Sequence, residues 1–176
     1  MTNSSQTSPL SFNQAIAATQ SLMNEINTNK LSEDEIEQRI SSILTSKDSA
    51  RGFFATYLTS NMSLADYPSS GVINGLKSSA KVVSQLLVKN LAMSSAMVVT
   101  HIRNSDQSNV EGSQKVCRRT SDLIQKINLE SVKNELQKLQ NTIITEKGFY
   151  QDFLERWGYD AEQRTAIQKA IVNTLI

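Results

Sequence analysis

Residues 72–104 read VINGLKSSAKVVSQLLVKNLAMSSAMVVTHIRN, and the spacing of apolar side chains there decides the fold. Val72, Leu76, Ala80, Val83, Leu87, Leu91, Val98 and Ile102 fall on one stripe of a 3.6-residue period, and Val82, Leu86, Met93 and Met97 fall on an adjacent one. Two neighbouring stripes cover much of a helix's circumference, whereas a surface helix needs only one. The spacing predicts one long central helix, about 72–104, contacted on several sides. Ala92, Ser94, Ser95 and Ala96 are small and admit a close helix crossing. No proline occurs from Asn74 to Ile176, so nothing there forces a helix to break.

The flanking segments carry the same period. A helix is expected over residues 11–27. The next starts at Ser32, where Ser32 and Glu35 fit a capping box and Ile36, Ile40, Ile43 and Leu44 form a stripe. Residues 49–60 carry Phe53, Phe54, Tyr57 and Leu58 on a bulky face. Gly52 inside that pattern costs about 1 kcal/mol and marks a close crossing. Residues 61–71 and 104–112 read as loops. A helix over 113–127 follows, with Asn128 as cap for the next, although 113–146 reads equally well as one helix jointed at Asn128. Phe149, Tyr150, Phe153, Leu154 and Trp157 make a short aromatic helix, closed by a left-handed Gly158. Asp160 and Gln163 form a second capping box, and Ile167, Ala170, Ile171 and Leu175 give the last helix its buried face. No segment alternates as a strand does. The expected architecture is all-α: an irregular bundle of seven or eight helices, with residues 1–9 a disordered tail and 10–176 a single helical domain.

Charge is balanced overall, with 18 basic and 17 acidic side chains, but unevenly placed. Residues 1–66 carry net −3, residues 67–119 net +5 and residues 120–176 net −1. One cysteine excludes an intramolecular disulfide and suits a reducing compartment. The first nine residues lack the basic and apolar regions of a signal peptide. The most apolar run, Met93–Val99, is too short and serine-rich to span a bilayer. A cytoplasmic location, with no membrane partner, follows by elimination.

Chemistry has few places to sit. One histidine and one cysteine cannot furnish a structural zinc site, and no Glu-x-x-His, Walker or Rossmann pattern occurs, so no metal or cofactor is expected. A turn centred near Ser108 or Asn109 would place His101 and Cys117 at one height on facing helices, where a contact would activate the thiol. A plain reading competes: Cys117 as a small core residue and His101 as a half-exposed one. A thioether-linked pigment on Cys117 or a haem on His101 is permitted by these residues and signalled by none. Lys115, Arg118, Arg119 and Lys126 share one helix face and Arg103 lies just before it, a candidate polyanion or nucleic-acid patch. The competing reading is a solvated face paired with nearby carboxylates. Phe53, Phe54, Tyr57 and Tyr67, and the aromatic set at 149–159, are expected to pack together in the core, or to serve a partner as surface anchors. The expectation is a non-enzymatic binding or regulatory module acting through a protein partner or homo-oligomerisation. Polyanion binding and a thiol enzyme or redox sensor are the alternatives.

Overall fold

The computed structural model describes residues 8–175, so most of the tail read at residues 1–9 lies outside the described residues. Nine α-helices appear among them: α1 (Phe12–Asn27), α2 (Glu33–Ile43), α3 (Lys47–Thr59), α4 (Ser70–Lys77), α5 (Ala80–Arg103), α6 (Gln107–Ile127), α7 (Glu130–Thr145), α8 (Gln151–Trp157) and α9 (Ala161–Leu175). A 3-10 turn occupies Ser63–Ala65, and no strand occurs among the described residues. The fold is an all-α bundle. Its core helix is α5, which packs along α6, α9 and α7.

The expected rod over 72–104 is two helices, which raises the count above eight. The chain breaks at Ser78 and Ser79, where hydroxyls compete for backbone carbonyls. Ser78 Oγ donates to Gly75 O at 2.6 Å, and Ser79 Oγ donates to Leu44 O at 2.9 Å. The second bond leaves the helix altogether and ties the break to the end of α2. What remains of the rod, α5, is 24 residues long and, by length and composition alone, apolar enough to cross a membrane. In its most apolar window 56% is buried inside the bundle. The apolar run is longer than Met93–Val99, and it is a core helix in this fold.

Glycines set the two closest crossings. α2 lies against α4 at Gly71 and Gly75, one turn apart on one face. A Cβ at Gly75 would sit 2.7 Å from Ile40 Cβ, and one at Gly71 would sit 2.3 Å from Glu33 O. Gly52 does the same for α1 and α3, where a Cβ would fall 2.5 Å from Phe12 O, as the sequence led us to expect. Capping places the helices end to end. The boxes at Ser32–Glu35 and Asp160–Gln163 form, and Ser11–Gln14 and Ser46–Ser49 add two more. Glu33 reaches across to the start of α4, accepting from Gly71 N at 2.5 Å and Ser70 Oγ at 3.0 Å. These bonds hold its carboxyl below the usual carboxylate range.

Residues 113–146 form two helices. Asn128 does not cap the second: it takes the left-handed conformation (φ 47°) that ends α6. The aromatic residues also divide differently. Phe53 stacks on Tyr57 with ring centroids 5.3 Å apart, while Phe149, Tyr150, Phe153 and Tyr159 form a separate chain of edge contacts. No aromatic pair joins the two sets among the described residues. Tyr67 lies on the surface. Gly75→Ala should destabilise the protein by about 1–3 kcal/mol in urea unfolding, since the added methyl meets Ile40 Cβ rather than a yielding side-chain tip.

Candidate functional site

The α5–α6 hairpin carries most of the residues singled out from the sequence. Its turn is tight. Ser105 adopts φ 53°, Ser105 N donates to Ile102 O and Asp106 N donates to His101 O, a Schellman closure made with serine in place of glycine. Asp106 then caps α6, accepting from Asn109 N at 3.3 Å. The helix therefore starts at Gln107, six residues before the expected Ser113, and the turn centres near residue 105 instead of 108.

That shift re-registers the hairpin. Cys117 comes level with Ser94, which stands two turns, about 10 Å, below His101 on α5 and donates its hydroxyl to Asn90 O and Leu91 O. Burial pushes the Cys117 thiol up, with the nearby Ser94 hydroxyl opposing, which is the reverse of an activated nucleophile. His101 Nδ1 lies 3.9 Å from Asp106 Oδ2 and is buried without a hydrogen-bond partner. The structure does not bring His101 and Cys117 together. No group of three or more His, Cys, Asp or Glu side chains converges to hold a metal among the described residues.

The cations of 103–126 have partners inside the protein. Arg103 forks onto Asp160 (2.6 Å) and Glu162, bracing the end of α5 against the start of α9. Arg103 holds the Asp160 carboxyl down at about 2, helped by Gln163 N. Lys115 Nζ donates to Thr59 O, Ser60 O and Asn61 Oδ1. Arg118 reaches Asp66 at 3.0 Å from an exposed position. Arg119 is 2% exposed and fully engaged: Nε and Nη2 clasp both oxygens of Asp66 at 2.9 and 2.7 Å, and Nη1 and Nη2 donate to the carbonyls of Leu58, Ser60 and Met62. Lys126 is exposed and has no side-chain partner among the described residues. Lys115, Arg118, Arg119 and Lys126 lie along α6, with Arg103 at the end of α5. The expected spacing holds for α6, but three of the five turn toward the 58–66 loop.

A polar contact that the sequence did not flag lies between α7 and α8. Tyr150, 1% exposed, donates from its hydroxyl to Glu135 Oε2 at 2.5 Å, and Lys138 Nζ takes the other oxygen at 2.7 Å. Burial first, then the Glu135 bond and charge, push the Tyr150 hydroxyl well above the usual tyrosine range. Only the spacing of Glu135 and Lys138 hinted at it; Tyr150 joins from outside the helix. The pair is sealed from solvent and docks α8.

One apolar feature remains uncovered. The last buried residue of α5 is Ala96, yet the helix runs on to Arg103. Met97, Val98 and Val99 are half-buried and Ile102 is 59% exposed. On the facing helix of the hairpin, α6, Val110 is the one buried residue between Gln107 and Arg118. Trp157 (53% exposed) lies three residues before Asp160, the partner of Arg103, so it shares this end of the bundle with Ile102.

Fold and site together define an all-α helical bundle whose polar clusters join its helices and whose α5–α6 end leaves apolar side chains exposed. The chain belongs to the family described as uncharacterised conserved protein UCP020893, which matches residues 11–174. No curated protein and no solved structure matches it.

Cys117 should resist a water-soluble maleimide in the folded protein at pH 8 and react at the rate of a free thiol once urea unfolds the chain. Rapid labelling of folded protein would contradict its buried, raised-pKa placement. Arg119→Met should cost about 3–5 kcal/mol of stability by stranding Asp66 and three carbonyls, whereas Arg118→Ala should change it little. Asp66 also sets a pH dependence. The Arg119 bonds hold its folded carboxyl below the ordinary range, so its contribution is present above about pH 4 and is lost as pH falls through the folded value. Urea midpoints from pH 6 to 2.5 should fall less steeply in Asp66→Asn, itself less stable at neutral pH.

Proposed function

We propose that this protein is a non-enzymatic binding module that works through protein–protein contacts, with self-association through the projecting α5–α6 end as the form under test. One observation carries the reading: α5 stays apolar for two turns beyond its last buried residue, Ala96. An apolar helix surface left half in water raises the free energy of the isolated chain, and a docked helix relieves it. Methionine and tryptophan suit that role, Met97 through its adaptable thioether and Trp157 as an anchor.

The two alternatives find less support. Arg103, Lys115, Arg118 and Arg119 spend their donors on internal partners, so a polyanion competes with Asp66, Asp160 and Glu162 for them. Thiol chemistry at Cys117 lacks an adjacent base, the near neighbour being Ser94.

Light scattering over a hundredfold range of concentration tests the proposal. The wild-type mass should rise above that of one chain, with Trp157 emission shifting to the blue. Ile102→Glu with Trp157→Glu, both at exposed positions, should keep the fold and remain monomeric. A wild-type protein of single-chain mass at every concentration would sink the reading.

A further inference from the structure

The carboxyl end of α7, the α8 helix and the start of α9 border a cavity of about 220 Å³. Its walls are Thr142 and Glu146 from the end of α7, Gln151, Leu154 and Glu155 from α8, and Arg164 from α9. Sites for drug-sized ligands run to about 300–1,000 Å³, so this one suits a smaller metabolite. Arg164 is anchored through one nitrogen: Nε donates to Tyr159 O at 3.0 Å, and Nη1 and Nη2 have no partner among the described residues. Gln151 orients Glu155, its Nε2 donating to Oε1 at 2.8 Å and leaving Oε2 open. The Glu146 carboxylate has no partner among the described residues, and its backbone takes φ 57°, a left-handed position where glycine or asparagine is usual. No ion pair joins Arg164 to either glutamate among the described residues, although all three line one space. The other charges nearby stand outside that lining. Asp160 is committed to Arg103 and Lys138 to Glu135, while Lys147, Asp152 and Arg156 are exposed and screened by solvent.

Opposite charges that share a cavity without pairing suit a molecule that pairs with both. We propose that this cavity binds a free basic α-amino acid of the lysine type. The Arg164 fork gives paired donors to the α-carboxylate, and Glu146 and Glu155 each accept an ammonium. The charges match: the lining carries two negative groups and one positive, the ligand one negative and two positive. Leu154, 1% exposed, offers its apolar edge to the methylene chain. A diamine would leave the guanidinium fork unused, and a neutral amino acid would leave one glutamate unmatched. The site does not depend on self-association of the chain.

Isothermal titration of the full chain with three ligands tests the site: L-lysine, cadaverine, which lacks the carboxylate, and norleucine, which lacks the side-chain ammonium. Lysine should bind saturably and at least tenfold tighter than either of the others. Arg164→Gln should weaken lysine at least tenfold and leave cadaverine within twofold. Glu155→Gln, at an exposed position on a different helix, should also weaken lysine at least tenfold and guards against a folding defect in the first variant. Glu111→Gln, exposed on α6, should change nothing. Absence of saturable lysine binding would overturn the proposal. So would cadaverine or norleucine binding as tightly as lysine, or lysine binding that neither Arg164→Gln nor Glu155→Gln alters.

Discussion

The clasp of Arg119 on Asp66 is the constraint on which the arrangement of helices rests. α3 ends at Thr59, and the carbonyls at and just after its end, Leu58, Ser60 and Met62, have no further turn of helix to bond them. A guanidinium has five N–H groups in a fixed fork and never deprotonates, so one side chain from α6 satisfies Leu58, Ser60 and Met62 and neutralises Asp66. Tyr57 contributes from the other side, donating to Leu64 O at 3.1 Å. The irregular segment between α3 and α4 is thereby pinned to the middle of α6. A buried charge is tolerated because every donor has an acceptor.

Around that clasp, contact distance is set by what side chains leave out. Gly52 lets α1 meet α3, and Gly71 with Gly75 lets α2 meet α4, so the first half of the chain packs as two close pairs. The second half packs around α5, whose Ala92 and Ala96 are fully buried. Ser84, Ser94 and Ser95 enter the same helix without stranding a hydroxyl, because each donates to a carbonyl four residues back. Ser84 also meets Ser131 at 2.7 Å, registering α7 against α5.

Electrostatics divide along the same lines. Pairs that join distant segments, such as Arg103 with Asp160 and Glu162, orient α9 on α5. Beside those pairs, the apolar end of the α5–α6 hairpin leaves Ile102 exposed.

Helix identity was legible along the chain because it depends on neighbours three and four residues away: the Ser32–Glu35 and Asp160–Gln163 caps, the apolar stripes and the left-handed Gly158 could all be read locally. The crossing at Gly52 was legible too, as a residue out of place in its pattern. Tertiary structure alone decided the rest. Ser78 and Ser79 break the rod because Leu44 O, 35 residues away, accepts a bond. A Schellman turn at Ser105 moves the hairpin register, separating Cys117 from His101 by a displacement that apolar periodicity cannot sense. Arg119 reads as one more surface cation, and its burial depends on Asp66 and three carbonyls 53 to 61 residues earlier. Local spacing fixes which face a side chain takes, whereas its partner depends on how helices are brought together in space.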